Sequence, residues 1–479
     1  MKRTYISFIT IFFLVSINAW AQQKYWIYFN TQDETPFDAQ IEEIGHHGVK
    51  PIVISRWLSA VSAHLDDHQK KAISQLRGID RIKGIDKNIR VFGTGSMDSV
   101  QFSRALDQIR ASSVIQSGLS GKGVKIGIID GGFYQADKDA SLSQLVDNRR
   151  VAGYKNFIET GTSDPYVGPR KNNDYHGTAV WKAIAGRTNK KISGLAPGAT
   201  FYLARTDQAD KEYRGEEDYW VEALEWMHSQ GVRLVNSSVG YSNGYDDPTE
   251  NYLPVDVDGK SSAITQAARI ASEEKGMLIV ISAGNDGSNV FQVISVPADA
   301  KGVLTVGATG YHDWRKAGYS SIGPHTLNYI KPDISCYASS GTSFSAPVIT
   351  GLAACIMEAK PELSNLEIKD LVIRSAHLYD YPNNYVGHGV PDAEKIMAIL
   401  SLDEVKKVTS FEIMTSTSSV SVDYEGLNIV AFHKSDSTTV FSQERLSAVK
   451  GKVTVNRQEG IAFTTIATPG KVWEIHWEQ

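Results

Sequence analysis

Residues 341–347 read Gly-Thr-Ser-Phe-Ser-Ala-Pro, and the apolar run 348–359 follows at once. A helix over that run leaves backbone N–H groups without internal partners at its start, where the helix dipole also places partial positive charge. An oxyanion forming beside Ser343 therefore meets donors already in place, and Pro347 in the first turn sacrifices no helical hydrogen bond. The segment predicts a nucleophilic serine at a helix start. The alternative is a small-residue turn that caps a buried helix.

Three other segments place polar side chains where acyl-transfer chemistry needs them. The β-branched run 124–129 predicts a strand buried on both faces, which delivers Asp130 at its carboxyl end. His176 stands before a run of small residues that predicts a helix, and the apolar run 277–282 leads to Asn285. The chain order Asp, His, Ser is that of the subtilisin version of the catalytic triad.

The chain resembles the subtilisin-like serine peptidases at four motifs, namely 130–132, 176–178, 283–285 and 341–343. The resemblance implies an α/β fold with a mainly parallel sheet flanked by helices, and the alternating strand and helix patterns from 99 to 400 agree with it. It also implies a triad of Asp130, His176 and Ser343, with Asn285 in the oxyanion hole.

These side chains have the chemistry that such roles require. An imidazole, whose unperturbed pKa is about 6.5, can take the Ser343 proton at neutral pH and return it to the leaving amine. An ionised Asp130 orients the ring, and Asn285 donates an N–H group to the oxyanion beside the Ser343 backbone N–H. The sequence thus predicts a serine endopeptidase that acts on polypeptides. A catalytically silent binding protein and a peptide ligase on the same framework are the alternatives.

The segment 232–240 resembles the family strand that lines the primary specificity pocket and pairs with extended substrate. Its predicted substrate-binding residues are Ser237, Ser238, Val239 and Gly240. Main-chain pairing of this kind accepts a substrate with little regard to its sequence. An ordinary buried strand with a polar end is the alternative.

Composition is that of a globular protein, with 42% hydrophobic and 22% charged residues in a chain of 479. This length predicts two or three domains. A net charge of -5 provides no basic surface for nucleic acid and no polybasic patch for a membrane. The predicted partners are therefore polypeptide substrates, with no nucleic acid.

The first 21 residues have the features of an export signal. Lys2 and Arg3 precede the apolar run 5–17, and small residues at Ala19 and Ala21 suit a cleavage site. We expect the mature chain to begin near Gln22, with no membrane span after signal removal, in a secreted or otherwise exported protein. An uncleaved anchor is the alternative, although the apolar run is shorter than the roughly 20 residues that a bilayer requires.

Two further domains are predicted around the catalytic one. Residues 22–98 indicate a small α+β unit that resembles the family's propeptides, which implies a zymogen inhibited by its own propeptide, and 93–96 form a plausible cleavage linker. After 401 the pattern changes to Thr, Ser and Val runs, which predicts a β-rich domain over 401–479.

Two cysteines allow at most one disulfide bridge, and buried unpaired thiols are the favoured interpretation of Cys336 and Cys355. No spacing of His and Cys predicts a metal site, and no cofactor is expected; structural calcium is possible but not indicated. Gly131 departs from the family pattern, because a hydroxyl residue usually follows the catalytic aspartate.

Overall fold

We analysed a computed structural model of the chain. It describes residues 23–33, 35–85, 99–159, 161–168, 172–208, 215–243, 251–401, 403 and 408–478. The predicted export signal and the predicted cleavage linker both lie outside these described residues.

The N-terminal unit, residues 23–85, is a four-stranded sheet with two helices. Its elements are β1 (Gln23–Phe29), α1 (Phe37–His46), β2 (Pro51–Ser55), β3 (Ala60–Leu65), α2 (Asp67–Ile73) and β4 (Ile79–Ile85). The strand order is β2-β3-β1-β4, with antiparallel pairing throughout. This unit has the α+β character that the sequence indicated.

The central unit, residues 99–400, alternates strands with helices. Its elements are α3 (Ser99–Gln108), α4 (Ser112–Gln116), β5 (Lys125–Asp130), α5 (Ser143–Asp147), β6 (Val151–Asn156), α6 (His176–Ala185), β7 (Arg187–Thr188), β8 (Lys191–Ile192), β9 (Thr200–Arg205), α7 (Gly215–Ser229), β10 (Leu234–Ser237), α8 (Ala263–Glu273), β11 (Leu278–Ser282), β12 (Leu304–Thr309), β13 (Ile334–Tyr337), α9 (Ala346–Ala359), α10 (Asn365–Ser375) and α11 (Ala393–Leu400).

Seven of these strands form one sheet in the order β13-β12-β11-β10-β5-β9-β6, and every neighbouring pair is parallel. The central strands are buried on both faces, which explains their nearly continuous apolar runs. Helices cover each face: α6 and α9 share one hydrophobic core with the sheet, and α7 and α8 share the other. This confirms the predicted mainly parallel α/β fold.

The N-terminal unit packs its sheet on α7. Trp26 and Tyr28 of β1 are buried in the same hydrophobic cluster as Trp220 of α7. Lys24 forms an ion pair with Asp218 that is almost wholly buried. The half-buried Glu225 of α7 accepts hydrogen bonds from the turn after β2, including the Arg56 backbone N–H at 3.3 Å. Both apolar contact and buried charge therefore join the two units.

The C-terminal unit is a β sandwich formed by β14 (Thr409–Thr415), β15 (Ser419–Asp423), β16 (Ile429–Lys434), β17 (Val440–Leu446), β18 (Lys452–Asn456), β19 (Phe463–Ala467) and β20 (Lys471–Trp477). A five-stranded sheet, β14-β20-β19-β16-β17, packs on the β15–β18 pair through valine, isoleucine and tryptophan side chains. Gln443 exchanges two hydrogen bonds with the Lys316 backbone of the central unit, at 2.9 and 3.0 Å. The β-rich character expected here is confirmed, while the exact domain boundaries stay predictions.

Trp181 of α6 is fully buried and packs on Phe201 of β9, with 5.3 Å between ring centroids. We expect Trp181→Ala to lower the free energy of unfolding by about 3–5 kcal/mol, because the vacated volume cannot be refilled. Urea denaturation in the Ser343→Ala background, which removes the predicted nucleophile, measures the change. Val290→Ala is the control, since Val290 is 97% exposed and should shift stability by less than about 0.5 kcal/mol. Equal effects of the two variants would contradict this packing.

Candidate active site

The predicted triad residues come from three places at the carboxyl edge of the sheet. Asp130 is the last residue of β5, and His176 is the first residue of α6. Ser343 lies in a single 3-10 turn, Thr342–Phe344, immediately before α9. The predicted helix start is therefore corrected slightly, because the serine precedes the α-helix by one tight turn. All three side chains are buried.

The carboxylate and the imidazole are in direct contact. His176 Nδ1 lies 2.7 Å from Asp130 Oδ1, and the same oxygen accepts the Gly131 backbone N–H at 2.8 Å. With Nδ1 as the donor, Nε2 is the ring nitrogen left to accept a proton. The imidazole ring also stands 5.4 Å from the ring of Phe344, the neighbour of Ser343. This contact places the imidazole against the turn that holds the serine.

Two glycines permit the approach of the Asp130 and His176 segments. A Cβ on Gly132 would stand 2.9 Å from the Asp174 Cα, and a Cβ on Gly177 would stand 2.4 Å from the Gly132 carbonyl oxygen. Real side chains do not tolerate such distances at backbone atoms. The two segments therefore pack backbone against backbone, and the Tyr134 N–H to Asp174 carbonyl bond of 2.8 Å joins them.

Ser343 is held by the segment that follows β10. Its Oγ donates to the Ser238 carbonyl at 3.2 Å, and Ser238 Oγ donates to the Ser343 carbonyl at 3.0 Å. Among the four residues predicted to bind substrate, Ser238 makes both of these bonds to the serine. Ser237 instead accepts a hydrogen bond from Trp220 of α7 at 2.9 Å, and Val239 is buried in the same apolar cluster. Gly240 follows them in the chain and is buried.

Asn285 lies beside the same turn. Its Oδ1 accepts the Thr342 backbone N–H at 2.9 Å and lies 3.1 Å from Thr342 Oγ1. These bonds fix the side-chain amide, so that Nδ2 is the end left to donate. Gly341, with φ of 149°, has its missing Cβ position 3.3 Å from Nδ2. A side chain at residue 341 would occupy the space beside the amide donor.

Sequence reasoning missed two charged residues next to the triad, Arg205 and Asp207. Arg205 ends β9, which pairs with β5 so that Arg205 lies opposite Asp130. Burial raises the pKa of Asp207 to about 7; the Thr206 hydroxyl opposes this rise, the Asp130 charge adds to it, and His176 and Arg205 oppose it. The strand pattern before these residues is detectable in the sequence. Their place beside Asp130 follows only from the sheet order.

Both cysteines are buried free thiols, as favoured from the sequence. Among the described residues, no cluster of three His, Cys, Asp or Glu side chains could hold a metal ion. One stretch of the described chain, Thr342–Ala359, is long and apolar enough to cross a membrane, but 89% of it is buried within the protein. It consists of the turn that holds Ser343 together with helix α9.

A parallel α/β sheet with Asp, His and Ser gathered at its carboxyl edge is an arrangement of the serine hydrolases. Comparison with known proteins then specifies the group within that class. The subtilase family model, Peptidase_S8, matches residues 121–389, which is more than half of the chain. The protein belongs to the subtilase family.

Curated relatives agree with this assignment. The chain is 25% identical to subtilisin NAT of Bacillus subtilis subsp. natto over 346 residues, covering 70% of this chain and 80% of the relative. It is 27% identical to subtilisin BL of Lederbergia lenta over 301 residues, covering 60% and 96%.

Solved structures show the same fold. The epidermin leader peptide processing serine protease of Staphylococcus aureus, as the S393A mutant, superposes with a TM-score of 0.58 at 18% identity, covering 79% of this chain and 99% of that structure. Fervidolysin from Fervidobacterium pennivorans superposes with a TM-score of 0.56 at 17% identity, covering 93% of this chain and 70% of that structure.

Asp207 provides a pH-dependent test of the site. Burial raises the pKa of this carboxyl from the ordinary 3.8 of an aspartate to about 7, so the folded state holds its proton up to about pH 7. The contribution of Asp207 to stability is therefore present below that interval and is lost as pH rises through it. Asp207→Asn keeps a neutral group of the same shape, so we expect parent-like stability near pH 4 and higher stability than the parent at pH 8.

The control is Glu367→Gln at the start of α10. Backbone and side-chain hydrogen bonds from Ser364 lower the pKa of Glu367, so its contribution is present at neutral pH and is lost as pH falls. This variant should be less stable than the parent at pH 8. Thermal unfolding at both pH values, in the Ser343→Ala background, measures both. If Asp207→Asn changed the thermal stability equally at both pH values, the carboxyl would not be buried in its protonated form.

Proposed function

We propose that the protein is an exported serine endopeptidase, made as a zymogen, that hydrolyses polypeptides through Asp130, His176 and Ser343. The single observation that carries the proposal is the 2.7 Å contact between His176 Nδ1 and Asp130 Oδ1, on a ring that stands beside the nucleophile turn. An imidazole held in this way has one tautomer fixed and presents its other nitrogen as a base. Membership of the subtilase family gives the reaction class.

The reaction proceeds in two acyl-transfer steps. His176 Nε2 takes the hydroxyl proton as Ser343 Oγ forms a bond to the substrate carbonyl carbon. The protonated imidazole then gives that proton to the leaving amine, and the peptide C–N bond breaks. Water next adds to the acyl-enzyme with His176 again as the base, and the acid product leaves as Ser343 regains its proton. Asp130 stays ionised and stabilises the imidazolium throughout.

The oxyanion of each tetrahedral intermediate receives two hydrogen bonds in this scheme, from Asn285 Nδ2 and from the Ser343 backbone N–H. The support for the first is that Thr342 occupies Oδ1 of the amide and so orients Nδ2. Because these donors are fixed before the substrate arrives, they require little reorganisation as charge develops.

The N-terminal unit acts as the intramolecular inhibitor in this proposal, and the chain is exported by the predicted signal over 1–21. The inhibitor role is supported by the packing of β1 on α7, the buried Lys24–Asp218 pair and the hydrogen bonds to Glu225. The boundaries of the propeptide, 22–98, belong to the same proposal.

Ser343→Ala is the direct test of the nucleophile. We expect the matured wild type to cleave unfolded casein and to react covalently with a fluorophosphonate, because only an activated serine attacks phosphorus at a useful rate. The variant should do neither, while a Ser340→Ala control should do both. Mass spectrometry of the labelled protein and of the released peptides provides the readout.

Each alternative has its own outcome in that experiment. A properly matured wild type that stays unlabelled and leaves casein intact would support a silent binding protein and contradict the proposal. Labelling accompanied by joined rather than shortened peptides would indicate a ligase.

Asn285→Ala tests the oxyanion donor. We expect kcat to fall about 10²- to 10³-fold, a magnitude known for an oxyanion-hole asparagine of this family, with KM little changed. Steady-state hydrolysis of a peptide amide measures both constants. Asn148→Ala, at an exposed asparagine after α5, is the control and should match the wild type. A pure rise in KM would assign Asn285 to ground-state binding instead.

A further inference from the structure

Arg205 is a buried cation that touches both segments of the proposed Asp–His pair. Its Nε donates to the Gly131 carbonyl at 2.9 Å, and Gly131 follows Asp130 in the chain. One terminal nitrogen donates to Asp174 Oδ1 at 3.2 Å, two residues before His176. Arg205 is 7% exposed and Asp174 is 4% exposed. One guanidinium thus joins the end of β5 to the start of α6.

Both anchors are of the kind that fixes geometry. A charged donor to a carbonyl or carboxylate makes a stronger hydrogen bond than a neutral one, and the planar guanidinium holds two acceptors at a set angle. Burial strengthens the constraint, because moving either acceptor away leaves a desolvated charge without its partner. Glu159 also lies 3.8 Å from the guanidinium, but its side chain is 54% exposed. Asp174 and Gly131 are therefore the buried anchors.

The departure at Gly131 makes this anchor important. Gly131 has no hydroxyl to hold the carboxylate and no side chain to restrict its own backbone. Its N–H is bonded to Asp130 Oδ1, and its carbonyl is bonded to Arg205. The guanidinium thereby holds the carbonyl group of Gly131, whose N–H group orients the Asp130 carboxylate.

We propose that Arg205 is a positioning residue of the hydrolytic site, which holds the Asp130 carboxylate and the His176 imidazole in register through Gly131 and Asp174. The proposal rests on the function proposed above. Arg205 does not touch the substrate in this role. Its loss allows the two segments to separate by fractions of an ångström, which lowers the rate of proton transfer and leaves substrate binding unaffected.

Arg205→Met and Arg205→Lys test the proposal, with Arg150→Met as the matched control. Arg150 precedes β6 and donates to the Gly198 carbonyl at 3.2 Å. This bond lies at the amino ends of β6 and β9, whereas Arg205 lies at the carboxyl end of β9. Each variant is produced as the full-length chain and matured, and hydrolysis of a peptide amide by the matured enzyme gives kcat and KM. Arg205→Met should lose about 10²-fold in kcat, as expected for a small misplacement of reacting groups, with KM within about threefold.

The conservative variant separates positioning from mere stability. Arg205→Lys keeps the charge but reaches one anchor at a time, so it should recover part of the lost kcat. Arg150→Met should retain the wild-type kcat even if it melts at a lower temperature. The His176 Nδ1 proton, which resonates far downfield while it is bonded to a carboxylate, should broaden or shift in Arg205→Met and remain unchanged in Arg150→Met.

Each outcome has one meaning. An Arg205→Met enzyme with wild-type kcat and an unchanged downfield proton would overturn the positioning role. Loss of activity in Ser343→Ala would still uphold the proposed function in that case. Activity that survives Ser343→Ala would overturn the proposed function itself. If Arg205→Met shows no cooperative unfolding, Asp174→Asn replaces it, since this variant weakens the same anchor and keeps its shape. Wild-type kcat and an unchanged proton in Asp174→Asn would equally overturn the role.

Discussion

The contact between Asp130 and His176 depends on two backbones meeting without side chains between them. Gly132 and Gly177 make this approach possible, since a Cβ at either position would collide with the opposite segment. The imidazole can then reach the carboxylate at 2.7 Å while both stay buried. A buried carboxylate requires partners, and here the His176 ring and the Gly131 N–H provide them. The site is thus built first as a packing arrangement and only then as a set of chemical groups.

The parallel sheet supplies the rest of the arrangement. Because all seven strands point the same way, the residues that follow β5, β9, β10 and β11 come together at one edge although they are distant in sequence. Asp130, Arg205, Ser238 and Asn285 all reach the site in this manner. Helices α6 and α9 then bring His176 and Ser343 to the same edge from the face that they cover.

The sequence predicted the parts of the site that stand next to an apolar or small-residue run. Asp130 and Asn285 come after such a run, His176 and Ser343 come before one, and the structure brings all four to one edge. The sequence could not show which of Ser237 and Ser238 faces the site. Successive strand residues face opposite sides, and the pattern does not reveal which side carries the site. The structure directs Ser237 to Trp220 and Ser238 to Ser343. Arg205 was missed because a charged residue at a strand end is usually exposed, and only the pairing of β9 with β5 shows otherwise.

In the proposed zymogen, the Lys24–Asp218 pair has a consequence for the release of the N-terminal unit. Both charges are hidden from solvent, and one belongs to each unit. Separation strips Asp218 of its cation in a protein environment, so water or a proton must arrive there at the same moment. Trp26 and Tyr28 of β1 must also become exposed to water in that event. Detachment is therefore a solvation event spread over a broad surface, and cutting the chain that links the two units does not by itself bring it about.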